Sequence, residues 1–164
     1  MGTATTAEAA TTSAAGVAVR LGGGRYGIEL SAIAEVVGVP PLTRVPGAPA
    51  WLAGVANWRG RVLPALDLRP LLAAGTEPGA SARLVVLAVD GVEAGLLVDA
   101  VVGLITASEA TPAPAPVTAS PAAADLVVGV VDGPDGVVAL LDVAAVLGLR
   151  HQIARRHGGR PGGG

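Results

Sequence analysis

Residues 54–68 (Gly-Val-Ala-Asn-Trp-Arg-Gly-Arg-Val-Leu-Pro-Ala-Leu-Asp-Leu) return in degenerate form 75 positions later, at residues 129–143. Without a gap, Gly54 falls on Gly129, Val55 on Val130, Val62 on Val137, Leu66 on Leu141 and Asp67 on Asp142. A second match, offset by 68, sets Gly23, Gly27, Ile28 and Leu30 over Gly91, Gly95, Leu96 and Val98. A chain that repeats itself this way builds one supersecondary unit twice. Both copies are rich in β-branched runs between glycines, so two small strand-rich units, each a barrel, are expected. The comparison also separates roles. Shared residues belong to the scaffold. Asn57, Trp58 and Arg59 occur in one copy only and need another reason.

The runs at 17–21 and 26–30 flank a glycine turn, and those at 84–89 and 95–98 turn at Asp90-Gly91. Asp-Gly tolerates the positive φ that tight hairpins require. Residues 33–39, 54–57, 62–66, 101–105, 127–131 and 137–141 complete about ten short strands. Short helices are expected at 68–74 and 142–147, with Asp67 and Asp142 placed to cap them. Residues 1–16 are mostly small Ala and Thr and are expected to be disordered, as is the Arg- and Gly-rich tail 150–164. Folded structure is assigned to 17–149, with pseudo-repeats at about 17–75 and 82–149.

Composition removes several function classes. There is no Cys, hence no disulfide and no thiolate chemistry. Residues 17–148 carry seven Arg and twelve acids, an acidic body that does not suit a nucleic-acid partner. The longest apolar candidate, 84–105, contains Asp90, Glu93 and Asp99, so no membrane insertion is expected. The N-terminus has no basic region followed by an apolar one, so no signal peptide is expected.

No catalytic set stands out. Residues 22–27 (Gly-Gly-Gly-Arg-Tyr-Gly) match a dinucleotide fingerprint, but the acid expected about 20 residues later is missing. The same segment recurs at 89–95 as an ordinary hairpin, and a hairpin turn is the reading adopted. His151 and His157 sit six apart in a flexible tail, which is no metal site. No cofactor or metal is therefore expected. Trp58 and Arg59 at a hairpin tip have the composition of interface anchors.

With these residues in hand, the chain resembles the CheW family of chemotaxis coupling proteins. The resemblance rests on Tyr26-Gly27-Ile28-Glu29, Ile33-Ala34-Glu35-Val36, Thr43-Arg44-Val45-Pro46, Gly54-Val55-Ala56-Asn57-Trp58-Arg59-Gly60, Pro64 and Leu66-Asp67-Leu68-Arg69. It continues with Gly95-Leu96-Leu97-Val98-Asp99, Pro112-Ala113-Pro114 and Leu140-Leu141-Asp142, and covers about 17–148. It implies an all-β fold of two five-stranded SH3-like β-barrel subdomains around a shared core. It also implies a cytoplasmic, non-catalytic adaptor between the cytoplasmic tip of a chemoreceptor and the regulatory domain of the histidine kinase CheA. A scaffold of a pilus-motility or other non-flagellar pathway is the alternative. By alignment Ile33, Glu35, Val36, Arg59, Val101 and Leu104 fall on the receptor-facing side, with Asn57 and Trp58 as weaker partner contacts. Val37 and the Ala/Thr/Pro composition after Pro114 depart from the family pattern.

Overall fold

A computed structural model describes residues 15–72, 81–106, 125–133 and 136–158. The expectations for residues 1–14, the inter-repeat link, the Pro-rich stretch after 106, the second hairpin tip and the last six residues lie outside the described residues. The strands are β1 (Gly16–Leu21), β2 (Gly24–Glu29), β3 (Ile33–Gly38), β4 (Leu52–Trp58), β5 (Arg61–Leu66), β6 (Arg83–Val89), β7 (Val92–Val98), β8 (Ala100–Ile105), β9 (Val127–Gly133) and β10 (Gly136–Leu141). A 3₁₀ turn (Leu30–Ala32) joins β2 to β3, and α1 (Arg69–Leu72) and α2 (Val143–Gly158) follow β5 and β10.

Glycine chemistry sets the hairpins. Leu21 pairs with Gly24, which leaves Gly22-Gly23 as a two-residue turn. Asp90 and Gly91 both take positive φ (52° and 79°), as a type I′ turn demands. The dinucleotide-like segment is thus a strand–turn–strand, without the helix that a phosphate-binding fingerprint requires.

The strands form two five-stranded sheets, in the orders β8-β1-β2-β10-β9 and β3-β6-β7-β5-β4. The expected all-β architecture is present, with each sheet left open between its first and last strands among the described residues. The two orders correspond strand for strand under the repeat, β1 to β6, β2 to β7, β3 to β8, β4 to β9 and β5 to β10.

The assignment of one barrel to one repeat needs correction. Each sheet takes the first two strands of one repeat and the last three of the other. Pairings within a repeat are the hairpins β1–β2, β4–β5, β6–β7 and β9–β10. Pairings between hairpins, and those of the lone strands, all cross repeats: β1–β8, β2–β10, β3–β6 and β5–β7. The chain crosses from one sheet to the other between the second and third strands of each repeat, which interleaves the halves.

This arrangement explains the continuous apolar runs. On β1, Val17, Val19 and Leu21 face a core shared with Val85, Leu87, Leu96, Val98, Leu68 and the helical Val146 and Leu147. Ala18, on the other face, packs with Ile105, Val131 and Val138 inside its own sheet. On β6 the same alternation sends Val85 and Leu87 to the shared core and Leu84 and Val86 to Leu63, Ala65 and Leu97. Both faces are buried, so neither can be polar.

The repeated glycines have a packing cause. A Cβ on Gly27 would lie 2.7 Å from Ile105 Cδ1 and 2.8 Å from Leu140 Cδ2, and one on Gly95 would lie 2.7 Å from Leu84 Cδ1. Each leaves room for an inward-facing aliphatic side chain of its own sheet. Gly95→Ala should lower stability by about 1–3 kcal/mol through overpacking, measured by urea unfolding. Leu84→Val in the same chain should recover part of that loss; no recovery would mean the glycine is not there for space.

Helix α2 extends beyond the expected boundary. The sequence reading ends the second helix at Leu147 and the folded body at 149, whereas the helix continues to Gly158. Residues 150–156 (Arg-His-Gln-Ile-Ala-Arg-Arg) have good intrinsic helix propensity, and their cations suit a helix C-terminus. An N-cap starts it, since Asp142 Oδ1 accepts from Ala145 N at 3.2 Å.

Candidate partner-binding site

Two surfaces meet at strand β3. It is an edge strand, as is its repeat counterpart β8. A cleft of about 550 Å³ lies between them, lined by Val17, Val36, Arg83, Ala100, Val101 and Leu104 among others. Val36 (41%), Val101 (42%) and Leu104 (58%) are unusually exposed for aliphatic residues on regular strands. Edge strands that present apolar side chains to solvent are a liability unless a partner covers them.

The opposite face of β3 carries charge. Glu35 Oε2 accepts from Trp58 Nε1 at 3.2 Å and from Arg59 Nη2 at 2.9 Å. Arg59 and Arg61 both lie over the Trp58 ring, at 5.1 and 5.3 Å from its centroid. Arg61 also pairs with Glu93 at 2.7 Å. These groups converge because Arg59-Gly60 is a two-residue turn with positive φ at both positions (50° and 77°), setting Trp58 opposite Arg61. Asn57 Oδ1 accepts from Gly60 N at 3.1 Å and so braces the turn. An arginine at positive φ costs about 1 kcal/mol or more relative to glycine. The exposed Glu35–Arg59 pair returns about 0–1 kcal/mol. The tip therefore orients Trp58 and Arg59 and adds little to the stability of the fold.

The structure divides the residues selected from the sequence. Val36, Val101 and Leu104 line the cleft. Glu35, Trp58 and Arg59 form the charged cluster on the other face of β3, and the exposed Asn57 braces the turn that carries Arg59. Ile33 is half-buried and packs against the shared core. Sequence reasoning missed Arg61 and Glu93. Their signal was the Trp-Arg-Gly-Arg order itself, because a two-residue turn at 59–60 places residues 58 and 61 side by side.

It also missed Arg69, which is 9% exposed. Its Nη2 lies 2.6 Å from Asp67 Oδ2 and its Nη1 lies 3.6 Å from Asp99 Oδ1. Asp67 Oδ1 additionally accepts from Arg69 N at 3.0 Å and from Arg69 Nε at 2.9 Å. The capping role expected of Asp67 is thus combined with neutralising a buried guanidinium.

Among the described residues, no helix is long and apolar enough to cross a membrane. The CheW-like domain family model matches residues 15–151. Chemotaxis protein CheW of Rhizobium meliloti is 37% identical over 105 residues, covering 63% of this chain and 68% of that one. Protein PilI of Pseudomonas aeruginosa is 39% identical over 99 residues, covering 59% of this chain and 55% of that one. Among solved structures, the scaffolding protein TtCheW from Thermoanaerobacter tengcongensis superposes with a TM-score of 0.70 at 26% identity, over 79% of this chain and 89% of that one. The family match covers most of the chain, and the double-sheet fold and the residue motifs agree with it: this protein belongs to the CheW-like domain family of scaffold and adaptor proteins.

Proposed function

We propose that the protein is a non-catalytic, cytoplasmic adaptor that joins the cytoplasmic tip of a chemoreceptor to the regulatory domain of a CheA-type histidine kinase. The carrying observation is the apolar cleft between the two equivalent edge strands, with Val36, Val101 and Leu104 exposed around it. A receptor tip is helical in this reading. A helix laid in such a groove is anchored by aliphatic contacts and oriented by a few charges. Arg59 and Glu35, on the opposite face of the same edge strand, supply those charges. The hairpins also expose Val62 (72%) and its repeat counterpart Val137 (63%), which suit kinase docking at the sheet ends.

The likeness to Protein PilI, beside that to Chemotaxis protein CheW, favours a second reading with the same scaffold serving another motility pathway. The two share the mechanism and differ in the receptor and kinase bound.

A pull-down against the same organism's receptor-tip fragment and kinase regulatory domain tests the proposal. The parent protein should bind both. Leu104→Glu should abolish receptor capture and spare kinase capture. Arg59→Asn should also weaken receptor capture, while its melting temperature stays equal or rises, because asparagine accepts positive φ more readily. Binding to neither partner by folded protein would reject the adaptor reading. A fall in melting temperature for Arg59→Asn with receptor capture intact would remove Arg59 from the interface.

A further inference from the structure

The two places where the chain crosses between sheets are not equivalent. In the first repeat a 3₁₀ turn, Leu30–Ala32, separates β2 from β3. In the second, Asp99 alone separates β7 in one sheet from β8 in the other. Its repeat counterpart, 68 positions earlier, is Ser31, and the counterpart of Arg69, 75 positions later, is Ala144. A charged arrangement confined to one copy is not demanded by the shared scaffold.

Asp99 is held from three directions. Its backbone N donates to Arg20 O at 2.8 Å. Its Oδ2 accepts from Gly22 N at 2.5 Å, in the β1–β2 turn of the opposite sheet. Its Oδ1 faces Arg69 Nη1 at 3.6 Å, while Arg69 Nε and Nη2 are held by Asp67. The side chains of Arg69 and Asp99 are only 10% and 13% exposed, so solvent screens the pair weakly. The next residues in the chain, Ala100 and Val101, are wall residues of the cleft.

We infer that Arg69 and Asp99 form a latch that positions β8, and hence one wall of the partner cleft. In this scheme Arg69 acts through β8 rather than on the receptor; it is a positioning residue. The inference rests on the proposed use of the cleft for its functional meaning, and on the crossover geometry for its structural content. Among the described residues β8 is an edge strand paired with β1 alone, with the register interrupted between Ala18 and Val19. The bulge separates the first pairs of β8, Ala100 with Arg20 and Val101 with Val19, from the rest of the ladder, so the start of the strand depends on those pairs and on Asp99. Loss of the latch lowers the fraction of molecules in which the wall is in place, and apparent affinity falls by that fraction.

The test uses the full chain with Asp99→Asn and Arg69→Lys. Asparagine retains an acceptor for Gly22 N and loses the charge. Lysine retains a charge for Asp67 and loses the planar fork that reaches two carboxylates. Amide hydrogen exchange is read separately for β8 and for the tip half of the β4–β5 hairpin, residues 56–63, at the opposite end of that hairpin from Asp67 and Arg69. The expected result is exchange about tenfold faster in β8, unchanged exchange in the β4–β5 tip, and receptor-fragment binding about fivefold weaker with kinase-domain binding retained. Unchanged β8 exchange in the folded variants would overturn the latch. So would an equal rise in the β4–β5 tip, or failure of both variants to fold, because the network would then support the whole molecule rather than one strand. Faster β8 exchange in variants of a parent that binds no receptor fragment would keep the latch and reject the adaptor reading.

Discussion

Cut between residues 76 and 77, the chain is expected to yield two fragments that are each unfolded alone and fold on mixing. Each fragment would retain two hairpins and one strand with no partner. The first keeps β1–β2 and β4–β5 and strands β3, whose partner is β6. The second keeps β6–β7 and β9–β10 and strands β8, whose partner is β1. An isolated two-stranded hairpin is at best marginally stable in water. The shared core would also be halved, because Val17, Val19 and Ile28 lie in one fragment and Val85, Leu96 and Val146 in the other. Nitrogen–proton correlation spectra should show collapsed amide dispersion for each fragment and native dispersion for the equimolar mixture. A dispersed spectrum from either fragment alone would mean that one repeat can close a sheet by itself, and the interleaved pairing would not be required for folding.

Arg69→Ala should have the next largest effect. It leaves Asp67 and Asp99 with side chains 15% and 13% exposed and no guanidinium beside them. Removing one partner of a buried ion pair costs about 3–5 kcal/mol, since the remaining charge stays desolvated without compensation. For a chain of this size each kcal/mol corresponds to about 2–4 °C in melting temperature, so a drop of about 6–20 °C is expected by calorimetry. Arg59→Ala is the matched comparison. It removes an arginine from an ion pair of similar length, but that side chain is 68% exposed, and the expected change is within about 1 kcal/mol. Comparable losses from the two variants would contradict the burial argument. The contrast matters for function, because it separates a buried arginine that positions other groups from an exposed one that is free to meet a partner.

Both arginines stand in short motifs of the same kind, Asn-Trp-Arg-Gly and Leu-Asp-Leu-Arg, and the sequence does not distinguish their environments. Arg59 is legible because a two-residue turn forces its side chain outward. Arg69 follows an Asp that reads as a helix cap, and nothing local reports that Asp99, thirty positions later, closes over it. The cleft shows the same division. Alternation along β3 sends Glu35 and Val36 to opposite faces, and that much follows from strand periodicity. That Val36 then lines one cleft with Val101 and Leu104 follows from the packing of two different sheets. Ile33, two residues before Glu35, is half-buried against the core because the register shifts between the two. No spacing rule signals such a bulge.

By itself the sequence determined the strand count, the hairpin turns, the repeat and the shared glycines, because each is governed by the φ preferences, periodicity and side-chain volume of neighbouring residues. The tertiary structure alone decided which strands share a sheet. Hairpins are local, but the pairings β1–β8, β2–β10, β3–β6 and β5–β7 join segments from different repeats. Each repeat contains the same strands in the same order, so local pattern is equally consistent with closing a sheet within one repeat or across two. The choice depends on where the crossovers send the third strand, and therefore on the burial of a core that both halves must build together.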